Sequence, residues 1–200
     1  MSEGKGESTL VVTRDGSHTV YSSQFDQHYH NPNGAISESR HVFFEKNGLR
    51  EDLPNSDDLT ILEVGFGTGL NLMILLDYYL STGADTQINY YSIEGFPLTP
   101  DIVNDFNYAQ HLENTDVIPE VISLFDGLKE GMNILKVEDN ITLHLFYGMF
   151  EDFNPDNIQA NYIFHDAFSA DVNPELWTGE TFKKIKSASA SDVILSTYSA

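Results

Sequence analysis

Three acids and three glycines are the residues of this chain whose types and spacing point to chemistry. Glu63, Gly65, Gly67 and Gly69 occupy every second position of the stretch Glu63-Val64-Gly65-Phe66-Gly67-Thr68-Gly69. Alternating glycines remove Cβ atoms where a backbone must turn sharply, and they let a ligand approach the main chain closely. Before them, Thr60, Ile61, Leu62 and Val64 form a short apolar, β-branched run, the pattern of a parallel strand buried on both faces. After them, Leu70, Leu72, Met73, Leu75 and Leu76 recur at helical spacing. Strand, glycine turn and helix open a nucleotide-binding α/β unit, in which the helix N-terminus turns its free N–H groups to the ligand. Two ligand types do not fit the spacing. A dinucleotide loop needs a third glycine where Leu70 stands, and a phosphate-cradling loop needs Gly-Lys-Ser/Thr, which is absent.

Two further acids close predicted strands. Glu94 ends Ile88–Glu94, where an acid typically accepts ribose hydroxyls. Asp166 follows the apolar run Tyr162–His165. Ligands of open α/β sheets bind outside the carboxyl ends of the strands, so Glu63, Glu94 and Asp166 are expected to converge on one crevice. The loop after Asp166 brings Phe168 and Trp177, rings that can stack on a planar group, although Trp177 fits a core position equally well. Residues 23–38, rich in aromatics, histidine and the turn pairs Asn31-Pro32 and Asn33-Gly34, read as a site wall with Tyr29, His30 and Glu38 as substrate-side candidates. His28, His30 and His41 have no further ligand at suggestive spacing, so no metal is expected.

The elements that must position these groups follow from pattern. Leu10–Thr13 and Thr19–Tyr21 flank Arg14-Asp15-Gly16-Ser17, a β-hairpin signal. A helix is expected over Ser37–Phe44, ended by Asn47-Gly48, then a loop over Leu53–Asp58. Beyond the central strand and its helix come a loop at Ser81–Gln87, the strand ending at Glu94, and helices over Asp101–His111, capped by Thr99, and Val117–Leu128. Strands over Ile141–Phe146, Tyr162–His165 and Asp192–Tyr198 enclose a helix at Thr178–Ser187. The alternation implies a mostly parallel α/β sheet in one structural domain, with residues 1–58 as an N-terminal tail, hairpin and site wall and 59–200 as the ligand-binding core.

Composition narrows the classes. An apolar content of 40% and an aromatic content of 12% are globular values. No cysteine is present, which excludes disulfides, thiol nucleophiles and Cys-ligated zinc. No apolar run approaches the roughly 20 residues that span a bilayer, and the polar start MSEGKGESTL lacks a signal core, so no membrane partner and a cytoplasmic location are expected. Ten basic residues against 31 acidic ones, a net charge of −21, weigh against a broad nucleic-acid footprint.

The glycine stretch resembles motif I of the class I S-adenosylmethionine methyltransferases. Together, DGSHTVYS, FDQHYHNPNGAISESRHVFFEKNGL, ILEVGFGTGLN, YYSIEGFPL, HDAFSADVNPELWT and STYSA resemble the MnmC methyltransferase-like family, from Asp15 to the last residue. The resemblance implies a Rossmann-like sheet and transfer of a methyl group from S-adenosylmethionine to the primary amine of 5-aminomethyl-2-thiouridine at the tRNA wobble position. It implies that Glu63, Gly65, Phe66, Gly67, Thr68, Gly69, Asn71, Glu94 and Gly148 serve the cofactor and that Asp166 stands beside the reacting amine. Separate upstream enzymes, among them an oxidase, would form the aminomethyl group, and FAD is not expected here. The sequence departs from the family where Met149 follows Gly148 in place of an acid that reaches adenine, leaving Glu151 or Asp152 as substitutes. It also stops at Ser199-Ala200, so the sheet order 3-2-1-4-5-7-6 is expected to lack strands 6 and 7. Two other readings remain open: a small-amine methyltransferase, which the acidity favours, and a domain that binds the cofactor without turnover.

Overall fold

The computed structural model describes residues 8–198; the rest of the polar N-terminal stretch and Ser199-Ala200 lie outside them. The chain opens with β1 (Ser8–Val12) and β2 (His18–Ser22), antiparallel about the expected Asp-Gly turn, where Gly16 takes a positive φ of 87°. A two-residue strand, β3 (Gln27–His28), adds to β2 from within the predicted loop. Next come α1 (Ala35–Arg40) and, continuous with it, a π-helical turn over His41–Glu45. The widened turn lets the adjacent rings of Phe43 and Phe44 both enter the core, at 1% and 0% exposure. Gly48, at φ 82°, starts a new short helix, α2 (Leu49–Asp52), which pattern reading missed.

The main sheet contains β4 (Asp58–Val64), β5 (Gln87–Glu94), β6 (Gly131–Glu138), β7 (Ile141–Tyr147), β8 (Ala160–His165) and β9 (Ser189–Thr197). Their order is β6-β7-β5-β4-β8-β9, parallel throughout except for β6 against β7. The parallel strands thus run in the expected 3-2-1-4-5 order, and β9 is an edge strand among the described residues. Helix α3 (Leu70–Thr82) follows the glycine loop, α4 (Pro100–Val103) and α5 (Val117–Gly127) connect β5 to β6, and α6 (Gly179–Ser187) precedes β9.

Strand alternation splits the core in two. Ile61 of β4 joins a cluster with Tyr90, Leu143, Phe164 and the apolar residues of α3, into which Val20, Phe43 and Phe44 of the N-terminal part also pack. Leu62 and Val64 face the opposite way, with Ile93, Ile163 and Ile185. The sheet is therefore buried on both faces at β4, as its continuous apolar run requires.

Two expectations need correction. The helix over Asp101–His111 breaks after Val103 and resumes only as a 3-10 turn over Tyr108–Gln110. Asn107 explains the break. Its side chain donates to Gly16 O at 2.7 Å and accepts from His18 N–H at 2.9 Å, so hairpin contacts replace the helical path, while Phe106 and Tyr108 stack at 4.8 Å in the core. A second unpredicted strand, in the main sheet, is β6, which alternates half-buried and exposed residues along a sheet edge, with Met132 and Ile134 at 44% and 65% exposure. Thr99 precedes α4 as expected, but its side chain makes no capping hydrogen bond.

Candidate active site

The glycine loop joins β4 to α3 at the carboxyl end of the sheet. Gly65 has φ 100°, and a Cβ there would lie 2.7 Å from the carbonyl oxygen of Asp166, so only glycine lets the loop after β8 come this close. Gly67 has φ 55°, and a Cβ would meet the Tyr29 ring at 3.2 Å. Both glycines therefore serve close approach as well as backbone turn.

Glu94, at the end of β5, ties this loop down. One carboxylate oxygen accepts Gly67 N–H at 2.7 Å and the other accepts Phe96 N–H at 2.7 Å. Burial raises its pKa, and the backbone N–H groups oppose the rise. Asn71, in the first turn of α3, links the other two acids. Its Nδ2 donates to Glu63 Oε1 and to Asp166 Oδ2, each at 2.9 Å. Burial pushes Glu63 up to about 7 despite hydrogen bonds from Ser92 and Asn71. Asp166 is raised well above the usual carboxylate range, first by burial and then by the nearby Glu63.

Asp166, Asn71 and Glu94 line a cavity of about 440 Å³ together with Gly65, Phe66, Gly67 and Thr68 of the loop. Phe25, Tyr29 and Phe168 supply an aromatic wall: Phe168 lies 4.9 Å from Phe25 and 5.0 Å from Tyr29, centroid to centroid. Phe96 meets Phe25 edge-on at 5.2 Å. Beyond β7, Met149, Phe150 and Glu151 continue the lining, and Lys184 of α6 completes it. The lysine's Nζ donates to the carbonyl oxygens of Phe150 and Glu151 at 2.7 and 2.8 Å.

The remaining candidates take varied places. His30 lines the cavity, contacts Thr19 Oγ1 and Thr68 Oγ1 at 3.3 and 3.4 Å, and is pushed down to about 4 by burial, so it is neutral at pH 7. Glu63, at 1% exposure, stands behind Asn71 and does not reach the cavity. Gly148 also stays outside the lining and donates its N–H to Glu94 O at 3.0 Å. Glu38 accepts Asn31 N–H at 2.9 Å, outside the lining but near enough to raise Asp166. Trp177 backs the wall: its Nε1 donates to Phe168 O at 2.8 Å, and its ring meets His165 edge-on at 4.6 Å. Phe25, Phe96 and Lys184 were not foreseen as lining residues, while Met149 stands in the lining at the position where the sequence departs from the family. Phe25 shares the aromatic loop of Tyr29, and Phe96 lies two residues after Glu94, so proximity to chosen residues was the available signal. Among the described residues no group of three or more His, Asp or Glu side chains could hold a metal ion, and no helix is long and apolar enough to cross a membrane.

The arrangement fits a cofactor carrying hydroxyl and amino groups. Bare glycine backbone, the Glu94 carboxylate and the N-terminus of α3 meet in one cavity. Asn71 Oδ1 is a buried acceptor with no hydrogen-bond partner among the described residues, which a ligand N–H can satisfy.

Comparison with known proteins agrees with this fit. Residues 114–200 match a family described as S-adenosyl-L-methionine-dependent methyltransferase. The chain is 33% identical over 186 residues to the tRNA 5-methylaminomethyl-2-thiouridine biosynthesis bifunctional protein MnmC of Leptospira borgpetersenii serovar Hardjo-bovis (strain JB197), covering 90% of this chain and 28% of that protein. It is 31% identical over 189 residues to the protein of the same name from Marinomonas sp. (strain MWYL1), with 90% and 27% covered. It thus spans less than a third of the curated relatives it matches. The crystal structure of MNMC2 from Aquifex aeolicus superposes with a TM-score of 0.77 at 26% identity, covering 99% of this chain and 61% of that one. The sheet order and the glycine loop agree with these likenesses: over residues 114–200 the chain is similar to the S-adenosyl-L-methionine-dependent methyltransferases, and over 90% of its length to the MnmC proteins.

Proposed function

We propose that the chain methylates the primary amine of 5-aminomethyl-2-thiouridine at the wobble position of tRNA. The observation that carries this reading is the placing of Asp166 and Asn71 in one cavity with the glycine loop and the Phe25–Phe168 wall. S-adenosylmethionine, when bound, supplies a methyl group made electrophilic by its sulfonium. Gly65, Gly67, Glu94 and Asn71 would hold it. Phe25, Tyr29 and Phe168 would stack on the uracil ring and exclude water. An alkylammonium has no free lone pair, so the site must favour the neutral amine and hold it near the attack distance of ~3–3.5 Å. The Asp166 carboxylate, raised by burial, orients that amine and accepts a proton as the new N–C bond forms. This acceptor places the reaction in the cytoplasm, after separate enzymes have built the aminomethyl group.

The test is incubation with S-adenosylmethionine and tRNA bearing the aminomethyl group, followed by nucleoside mass spectrometry. A gain of one methyl on that nucleoside is expected; none on tRNA lacking the amine. A small-amine acceptor is the second reading. It is favoured by the five carboxylates lining the cavity, Glu94, Glu151, Asp166, Glu175 and Glu180, against Lys184 as the one ammonium among the described lining residues. Methylation of a polyamine with the tRNA untouched would establish it instead.

A further inference from the structure

A buried carboxylate and a half-buried one here share one amide. The Nδ2 of Asn71 serves both Glu63 Oε1 and Asp166 Oδ2 at 2.9 Å, and Ser92 Oγ–H donates to the second oxygen of Glu63 at 2.6 Å. None of the ion pairs among the described residues includes either acid. The titratable groups around the pair add no positive charge. Glu38 of α1 and Glu94 of β5 are acids, and Tyr90 of β5 and Tyr198 beyond β9 are phenols whose ionisation is itself raised, chiefly by burial. His165, the residue before Asp166, is held neutral at pH 7 by burial. Two carboxylates, one buried and one half-buried at a cavity wall, joined through one amide and without a cation, cannot both ionise cheaply.

We propose that Glu63 and Asp166 hold a single proton between them across Asn71, so that Glu63, which never reaches the cavity, sets the charge of the carboxyl that does. This rests on the reading of Asp166 as the group beside the amine. Glu63 is then a positioning residue, acting on Asp166 by its charge and by the orientation of Asn71, rather than a cofactor ligand. With the shared proton on Glu63, Asp166 is left ionised and open to a second proton; with it on Asp166, the charge rests on Glu63. When the amine attacks, the N–C bond forms, the methyl–sulfur bond breaks, and the proton leaving nitrogen goes to the Asp166 oxygen turned to the cavity. The elevated pKa of each acid agrees with the geometry.

The experiment is a pH titration of the carboxyl carbon resonances of Glu63 and Asp166 in the ¹³C-labelled chain, without cofactor or substrate. In the unaltered protein each carbon is expected to show two inflections at the same two pH values, the signature of a coupled pair. In Glu63→Gln, Asp166 should show one inflection, moved down by at least about one unit. In Ser92→Ala, which removes a donor to ionised Glu63, the inflection dominated by Glu63 should move up. Separate single inflections in the unaltered protein, or an Asp166 midpoint unmoved by Glu63→Gln, overturn the proposal. The titration of the unaltered chain decides even if a variant fails to fold. Because no methyl acceptor is involved, failure of the tRNA assay and failure of proton sharing are separate results.

Discussion

Gln27 and Tyr198, 171 residues apart, meet behind the loop that follows Asp166: Gln27 Nε2 donates to the Tyr198 hydroxyl at 3.3 Å. That hydroxyl donates in turn to Ala167 O at 2.9 Å, and Ser169 Oγ donates to Gln27 Oε1 at 2.9 Å. With Trp177 on Phe168 O, the segment that carries Asp166 is held on successive carbonyls. Tyr198→Phe keeps the ring and removes the clamp. It should lower stability by about 1 kcal/mol and raise the acceptor KM several-fold with cofactor affinity unchanged, measured by melting, steady-state kinetics and calorimetry. An equal loss of cofactor affinity would show that the clamp serves the glycine loop instead.

Gly67→Val should cost the cofactor site more than the fold. It forces a β-branched residue to φ 55° and drives a side chain at the Tyr29 ring. Strain of about 1–3 kcal/mol is expected in melting experiments, and calorimetry should show cofactor affinity reduced at least about tenfold. Normal binding by a folded variant would place the cofactor elsewhere.

Phe168→Ala separates the two halves of the cavity. Removing one ring from the aromatic wall should weaken acceptor binding by about 1–3 kcal/mol, the range for stacking on one base, and leave cofactor affinity within a factor of two or so. Acceptor KM against calorimetric cofactor affinity reads the split.

The buried His165 predicts an acid-side loss of stability. Its folded pKa is pushed down to about 4 from 6.5, so the unfolded chain takes up a proton first as pH falls. The stability this neutral histidine contributes is complete above pH 6.5 and is lost as pH falls through about 4. At most about 3 kcal/mol is involved. His165→Phe should flatten the stability curve between those pH values, as read by denaturant titrations; an unchanged slope would mean the ring is already charged in the fold.

Much of this site is written in local pattern. The β4 run, the alternating glycines and the leucines of α3 are consecutive, so period alone places them. Glu94 and Asp166 were legible because each closes an apolar run, and strand ends carry ligands in such sheets. Depth was not legible. Alternation puts Glu63 on the α3 face of β4 but does not say that Asn71 would screen it from the cavity. Nor does it reveal that Asn107 would leave a helix to bond the hairpin. β6 escaped because an edge strand with Met132 and Ile134 exposed lacks the inward-apolar, outward-polar alternation of a half-buried strand. Lys184 reads as a solvated helix charge until the carbonyls of Phe150 and Glu151 are beside it.

The place of β4 between β5 and β8 has a consequence for synthesis on the ribosome. Asn71 must wait for an acid 95 residues later in the chain before its second hydrogen bond can form. While those residues are still being added, β4 can pair with β5 on one side only, and its other edge is open to stray strands. The nascent chain therefore carries a half-finished glycine loop, without Asp166 against it, until β8 leaves the exit tunnel. Slow translation between β5 and β8 would lengthen the interval in which misassembly competes with closure of the sheet.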